Sequence, residues 1–203
     1  MINFSVKTPV GHARVDLDRA DGSQLLVLGH GAGGSVDAPD LVAVRQHCLA
    51  AGISVARVTQ PYRVAGRKTP PTAASLDTAW AEVVAALSRR KGLTALRFSY
   101  GGRSSGARVA CRTAADELVQ PRPVAVIAIA FPLHPPGRPD KPRSPELDAV
   151  PVPVLVVQGD RDPFGMPGPG TGREIVPVPG DHALRGAADQ VGLIVASWLT
   201  RLP

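Results

Sequence analysis

A serine, an aspartate and a histidine occur in this chain in an order and setting that suit nucleophilic catalysis. Ser104 lies in the pentapeptide GRSSG (102–106), and Asp162 and His182 follow it along the chain. A histidine can remove the proton from a serine hydroxyl, and a carboxylate can hold the imidazole in one tautomer. Together the three residue types predict attack of a serine on an acyl group, with an acyl-enzyme intermediate.

The pentapeptide G-x-S-x-G predicts a sharp strand-to-helix turn with Ser104 at its tip. Such a turn brings backbone against neighbouring elements, so the residues two before and two after must be small, as Gly102 and Gly106 are. Ser99 and Ser105 each follow an arginine by two positions, which favours Ser104 as the nucleophile. Without chemical partners, the same pattern would be a glycine-rich turn with a capping serine.

Two aspartates compete for the role of the acid. Asp160 and Asp162 follow a predicted strand that ends near Gln158, so both emerge at the carboxyl edge of the sheet, where open α/β folds bind ligands. Asp162 is preferred because the turn needs several residues to swing a carboxylate toward the histidine. Asp160 stays open as the alternative, and the aspartate not used would be a solvated or turn-stabilising residue.

Five histidines compete for the role of the base. His12 lies on a leading strand, His47 within a helix, and His30 in a glycine-rich loop. His134 follows the apolar strand 124–130, so it is either a substrate-pocket residue or a loop packing residue. Only His182 follows the acid and falls between the last strand and the closing helix, which predicts it as the base.

The glycine-rich loop 28–35 predicts an oxyanion site. Acyl transfer needs backbone N–H donors aimed at the developing oxyanion, and glycines let backbone approach a substrate closely. One donor would be the N–H of Ser105, the residue after the nucleophile. The other would come from Ala32, with Gly33 as the second choice.

The same loop matches G-x-G-x-x-G through Gly29, Gly31 and Gly34, the pattern of a dinucleotide site. The context argues against that function, because Pro39 predicts a helix that begins several residues after the loop. No acidic residue closes the following strand, where Arg57 stands instead. We therefore expect no cofactor.

Composition and charge narrow the classes of function. The 203 residues are 44% hydrophobic, which predicts one folded domain over residues 1–203. The net charge is +6, but the arginines are scattered and no zinc or base-stacking pattern accompanies them, so we expect no nucleic-acid partner. We expect a small-molecule acyl substrate, and the basic balance is compatible with an anionic one. Further pocket candidates are Tyr62, Arg63 and Arg103.

Compartment and membrane attachment follow from what the sequence contains. No segment reaches the about 18 uninterrupted apolar residues of a membrane helix. Residues 1–10 show no apolar signal-peptide core, and Cys48 and Cys111 both fall in helical patterns, which favours buried thiols in a reducing compartment. We expect a cytoplasmic protein without membrane or metal sites.

Strand and helix patterns alternate along the chain, which predicts an α/β fold with a mostly parallel sheet and helices on both faces. The strand run 124–130 is the most apolar and is expected at the sheet centre. Residues 132–151 hold seven prolines and predict a surface loop, with little or no lid domain. Strands are expected at 3–7, 12–18, 24–28, 53–58, 93–100, 124–130, 152–158 and 174–178, and helices at 40–51, 72–90, 105–119 and 187–201.

With these residues in place, the chain resembles the small α/β-hydrolases near the dienelactone-hydrolase branch. It is most similar to the group of testis-expressed hydrolase-like proteins and a subunit of the NSL chromatin complex. The resemblance is carried by HGAGG (30–34), QPYR (60–63), GGRS (101–104), FPLH (131–134), the segment 158–165 and DH (181–182).

This resemblance implies the α/β-hydrolase fold with Ser104, Asp162 and His182 as a catalytic triad. It also implies an alternative function, because the group includes proteins that serve as scaffolds. The strand before the serine, 96–100, is more polar than a buried central strand. The alternative is an α/β-hydrolase fold whose triad is idle and which acts as a binding module.

Overall fold

Short apolar strands alternate with helices to build an eight-stranded sheet covered on both faces. The computed structural model describes residues 1–203. The strands are β1 (Ile2–Thr8), β2 (Gly11–Asp18), β3 (Gln24–Gly29), β4 (Ser54–Thr59), β5 (Arg97–Arg103), β6 (Ala125–Ile129), β7 (Val154–Gly159) and β8 (Arg173–Val178). The helices are α1 (Pro39–Ala50), α2 (Pro61–Val64), α3 (Ala73–Ser88), α4 (Ser105–Ala115), α5 (Ser144–Asp148) and α6 (Ala188–Thr200).

The strand order is β1-β2-β4-β3-β5-β6-β7-β8. The two antiparallel strands β1 and β2 form one edge, and the strands from β4 to β8 are parallel. The chain places β4 on one side of β3 and β5 on the other, so the strand order reverses there. Ligands bind in the crevice that such a reversal opens at the carboxyl ends of the strands.

The expectation that segment 124–130 forms the sheet centre is wrong. The two middle positions belong to β3 and β5, and β6 lies one strand further out. Every residue of β6 is buried, and so are five of the seven residues of β5, although β5 is the more polar strand. The apolarity of a strand in the sequence therefore does not distinguish a middle strand from its neighbour. The polar residues of β5 are accommodated: Arg97 lies half-buried at its start, and Tyr100 Oη donates to the carbonyl of Pro121.

Two apolar layers hold the helices on the sheet. One packs α3, α4 and α5 against one face through residues such as Trp80 and Leu147. The other packs α1 and α6 against the opposite face through residues such as Leu41 and Val191. Both cysteines, Cys48 and Cys111, lie buried as free thiols. No helix has the length and apolarity needed to cross a membrane.

The proline-rich segment 132–151 is a loop as expected, but it contains the short helix α5. Arg108 and Arg112 of α4 donate to the Glu146 carboxylate, and the neighbouring Leu147 is buried in the core. The loop is therefore fastened to α4, and no lid domain covers the sheet edge.

Candidate active site

The backbone at Ser104 is strained in the way a nucleophile turn requires. Ser104 stands between β5 and α4 with φ 54° and ψ −108°, a region that non-glycine residues rarely occupy. Its N–H donates to the Ile129 carbonyl at 2.9 Å, which ties the turn to β6. A Cβ on Gly102 would lie 2.6 Å from the Gly29 oxygen, and one on Gly106 would collide with the same carbonyl. Both glycines of G-x-S-x-G are thus required by this turn.

Ser104, His182 and Asp162 form a continuous hydrogen-bonded chain. Ser104 Oγ lies 2.9 Å from His182 Nε2, and His182 Nδ1 lies 2.8 Å from Asp162 Oδ2. The Asp162 side chain is fully buried, whereas that of His182 is 21% exposed. An ionised carboxylate only accepts hydrogen bonds, so Nδ1 carries the proton and Nε2 accepts from the serine hydroxyl. This order of donors suits removal of a proton from Ser104 Oγ.

The structure separates the two competing aspartates. Asp162 faces the imidazole, and its other oxygen, Oδ1, accepts the N–H of Phe164 at 2.9 Å. Asp160 points elsewhere: its Oδ1 accepts the N–H of Gly180 at 2.9 Å, and the residue is exposed. Asp160 therefore closes the turn that carries the histidine loop.

Three of the competing serines and histidines lie apart from this chain of contacts. Ser99 is buried within β5, and its hydroxyl has no hydrogen-bond partner. His12 is exposed on β2, and His47 Nε2 lies 2.8 Å from Asp189 on the outer helices. None of these three contacts Ser104 or Asp162.

Gln158 is a site residue that the sequence reasoning missed. It is buried at the end of β7, and its Nε2 donates to Asp162 Oδ2 and to the Gly165 carbonyl, both at 2.9 Å. Its Oε1 accepts the N–H of Phe131 at 2.8 Å. The amide thus fixes the Asp162 carboxylate relative to the exit of β6. A single amide in the otherwise apolar strand VLVVQG was the available signal.

Phe164 is a second missed residue, and it forms one wall of the site. Its ring packs edge-on against His182 with centroids 4.5 Å apart. His134, a pocket candidate, also packs near Phe164, with ring centroids 5.9 Å apart, and its Nδ1 is 2.9 Å from the Pro135 oxygen. His134 is therefore half-buried at the rim, one ring removed from His182.

Arg103, another pocket candidate, contacts both the His182 loop and Asp40. Its Nη2 donates to the His182 carbonyl at 2.8 Å, and its Nε lies 2.8 Å from Asp40 Oδ2 in a charge contact without hydrogen-bond geometry. Burial raises the pKa of the Asp40 carboxyl, and the arginine opposes that rise. The guanidinium links the histidine loop to the start of α1.

The glycine-rich loop lies against the serine turn. A Cβ on Gly31 would be 3.6 Å from Ser104 Cβ. The N–H groups of Ala32 and Gly33 donate to no protein atom. Ser105 opens α4, and the first N–H groups of a helix have no acceptor within it. The loop and the helix start thus supply free donors next to the serine.

His30 and Tyr62 pack beneath this loop with ring centroids 5.9 Å apart. Tyr62 Oη donates to the Ala32 carbonyl at 2.6 Å, and burial lowers the pKa of His30. Tyr62 also lines a cavity of about 160 Å³ with Val10, Leu76 and Arg67 among its neighbours. The remaining pocket candidate, Arg63, is half-exposed beside Tyr62.

The geometry offers no arrangement for the dinucleotide alternative. The helix α1 begins at Pro39, well after the last glycine of the loop. Arg57, which stands where a dinucleotide site would have an acidic residue, is buried and donates to the Val36 carbonyl and to Asp37 Oδ1, both at 2.9 Å. No group of three histidine, cysteine, aspartate or glutamate side chains converges as a metal site.

Residues 22–169 match the family described as alpha/beta hydrolase domain. The chain belongs to the α/β-hydrolase family. The α/β fold predicted from the alternation of strands and helices is therefore confirmed, and so is the hydrolase fold that the resemblance implies. No curated protein sequence matches this α/β-hydrolase.

Solved structures share its fold at low sequence identity. An alpha-beta serine hydrolase homologue from Coxiella burnetii is 18% identical, with TM-score 0.77 over 98% of this chain and 97% of that chain. Est1E from Butyrivibrio proteoclasticus is 16% identical, with TM-score 0.78 over 98% of both chains. Dienelactone hydrolase from Anabaena variabilis is 19% identical, with TM-score 0.78 over 99% of this chain and 97% of that chain. At these identities the likeness establishes the fold.

Proposed function

We propose that this α/β-hydrolase is a serine hydrolase that cleaves an ester, thioester or similar acyl bond. The observation that carries the proposal is the hydrogen-bonded chain from Ser104 Oγ through His182 to the buried Asp162 carboxylate. The strained backbone at Ser104 supports it, because strain of this kind concentrates at functional sites. The esterase and dienelactone hydrolase among its structural neighbours agree with this class of reaction.

The proposed reaction follows from which atom carries which proton. His182 Nε2 takes the proton from Ser104 Oγ as that oxygen attacks the acyl carbon. The N–H groups of Ala32 and Ser105 stabilise the oxyanion. His182 then gives the proton to the leaving alcohol or thiol, and the acyl-enzyme remains. Water, deprotonated by His182, releases the acid and restores the serine, while Asp162 stabilises the imidazolium in both steps.

For the substrate we propose only a chemical class, a small acyl compound. The cavity beside Tyr62 is lined by Val10, Leu76 and the exposed Arg67 among others, and its lining includes neither Ser104 nor His182. The substrate class therefore rests on the net charge of +6, which is compatible with an acyl group that carries negative charge. We further propose that residues 1–203 act as one domain in the cytoplasm without a cofactor. The resemblance to the testis-expressed and NSL-subunit group belongs to this proposal.

Ester hydrolysis by matched serine variants tests the proposal. We expect purified protein to hydrolyse p-nitrophenyl acetate, and Ser104→Ala to lower kcat at least about 10³-fold, because the nucleophile is lost. Ser99→Ala is the control, since that hydroxyl is buried and has no partner. Hydrolysis that survives Ser104→Ala would contradict the serine mechanism. Absence of hydrolysis, with partner binding that tolerates Ser104→Ala, would support the idle binding module instead.

A further inference from the structure

Two buried aromatic side chains hold consecutive peptide groups of the glycine-rich loop. His30 Nδ1 lies 2.8 Å from the Gly31 oxygen, and Tyr62 Oη lies 2.6 Å from the Ala32 oxygen. Both side chains are at least nine-tenths buried. Neither contacts Ser104, so their role in this loop is to hold backbone.

The held carbonyls determine where two N–H groups point. In a planar trans peptide the C=O and the following N–H point in opposite directions. Holding the Gly31 carbonyl therefore fixes the N–H of Ala32, and holding the Ala32 carbonyl fixes the N–H of Gly33. Neither of these two N–H groups donates to a protein atom. The aromatic pair thus leaves two fixed, free donors on the opposite side of the loop.

The hydrogen bonds of His30 also define its tautomer. The N–H of Gln60 donates to Nε2 at 3.1 Å, so that nitrogen carries a lone pair. The proton is therefore on Nδ1, which donates to the Gly31 carbonyl. Burial and the nearby Arg63 charge both favour this neutral form. The loop is thereby anchored to the start of α2 through a single imidazole.

We propose that Tyr62 and His30 are positioning residues of the oxyanion site, and that Gly33 joins Ala32 and Ser105 as a third donor. This inference rests on the proposed hydrolase function and extends it. An oxyanion donor stabilises the transition state only when it is held about 3 Å from the oxygen atom on which the negative charge develops. One internal bond, from the Gly34 N–H to the Gly31 carbonyl at 3.1 Å, also holds the Gly31 peptide, but no backbone donor holds the Ala32 carbonyl, and glycine backbones adopt many conformations. The two side chains supply the missing constraint.

The chain provides a matched control for Tyr62. Tyr100 is its only other tyrosine, and it too is buried with its hydroxyl donating to a backbone carbonyl, that of Pro121. Tyr100 lies in β5, outside the loop and the proposed machinery. Tyr62→Phe and Tyr100→Phe therefore remove the same kind of bond from a buried site, and only the first releases the Ala32 peptide.

The test measures the rate constant for labelling of Ser104 by a fluorophosphonate, together with kcat and KM for p-nitrophenyl acetate. Removing a whole oxyanion donor lowers kcat about 10²–10³-fold. In Tyr62→Phe the Ala32 peptide is no longer held and the Gly33 N–H loses its direction, so we expect kcat and the labelling rate to fall about 10- to 100-fold. We expect KM to change less than about threefold, because the donors act on the transition state. Tyr100→Phe should keep rates within about threefold of wild type, and Tm reports any loss of stability in both variants.

Three results would overturn the proposal in distinguishable ways. Wild-type rates in Tyr62→Phe would remove the positioning role and leave the hydrolase function intact. Equal losses in both tyrosine variants, in step with Tm, would mean that the bond is only structural. Wild-type labelling no faster than that of Ser104→Ala would end the hydrolase proposal and this one together.

A second pair of variants tests His30 separately. The amide of His30→Asn keeps a donor near the position of Nδ1, whereas His30→Phe removes it. We expect His30→Asn to label at least about fivefold faster than His30→Phe, since a correctly held donor peptide is needed in the transition state. Equal or reversed rates would exclude His30 from the positioning role. If His30→Phe does not fold, the labelling rate of His30→Asn is compared with that of wild type, and the two tyrosine variants still test the proposal.

Discussion

Ser104 illustrates how single residues of the site depend on distant ones. Its left-handed backbone conformation costs on the order of 1–3 kcal/mol, and it persists because surrounding structure holds it. The Ile129 carbonyl holds its N–H, and the Gly29 carbonyl fills the space that side chains at Gly102 and Gly106 would need. The serine is thus presented by contacts with two neighbouring strands.

His30 makes stability depend on pH in a direction that its environment fixes. Burial lowers the pKa of His30 in the folded state below its ordinary value of about 6.5. At a pH below about 6.5 the unfolded chain therefore binds more protons at this residue than the folded chain does. The stabilisation is therefore complete above about pH 6.5 and is lost as the pH falls toward the lower folded pKa. We expect the free energy of unfolding from urea titrations to fall between pH 7.5 and 5.5, and to fall less in His30→Asn. Equal slopes in wild type and His30→Asn would contradict this assignment.

The roles of single residues could be predicted only where a local pattern carries them. The spacing of glycines around Ser104 and the chain order of Asp162 and His182 are local or directional signals, and the structure brings these three side chains together. The contacts of Gln158 and Phe164 arise only when the loops after β6, β7 and β8 meet. A linear pattern does not report such meetings.

At the scale of elements, the site depends on how closely α4 approaches the end of β3. A Cβ on Gly106 would meet the Gly29 carbonyl and lie 2.9 Å from the His30 oxygen. Because backbone atoms on both sides cannot yield as a flexible side chain would, the helix or the loop must shift.

We therefore expect Gly106→Ala to lower the free energy of unfolding by about 1–3 kcal/mol and to reduce ester hydrolysis. Gly186→Ala is the matched control, because a Cβ there meets nothing within 4 Å. It should change the free energy of unfolding by less than about 0.5 kcal/mol. Urea unfolding and p-nitrophenyl acetate hydrolysis measure both effects. Gly106→Ala with unaltered stability and activity would refute the close approach.

Element boundaries were predicted where apolar periodicity is long and were wrong where it is short. The helices over 40–51 and 187–201 are confirmed within two residues. β5 begins at 97 rather than 93 because the residues before it form turns, in which the Leu96 N–H donates to the Leu93 carbonyl. It ends at 103 rather than 100, beyond two glycines that have no side chain to extend the pattern. The single-turn helices α2 and α5 carry too few residues to show a period.

At the scale of the whole molecule, the strand order creates the site. β3 and β5 occupy adjacent middle positions, so the glycine-rich loop after β3 and the serine turn after β5 open side by side at the carboxyl edge. The alternation of elements predicted a mostly parallel sheet with helices on both faces correctly, and the resemblance supplied the hydrolase fold. It did not predict which strand lies in the middle, because β3, β5 and β6 are similarly buried and only the crossovers decide their order.

The central claim is that Ser104 is the nucleophile of a working hydrolase. It is tested most directly by treating the protein with a fluorophosphonate and mapping the adduct by mass spectrometry. Activation by His182 predicts one phosphonylated residue, Ser104, in wild type and Ser99→Ala, and no adduct in Ser104→Ala. An adduct on another residue, or none on the folded wild-type protein, would contradict the claim.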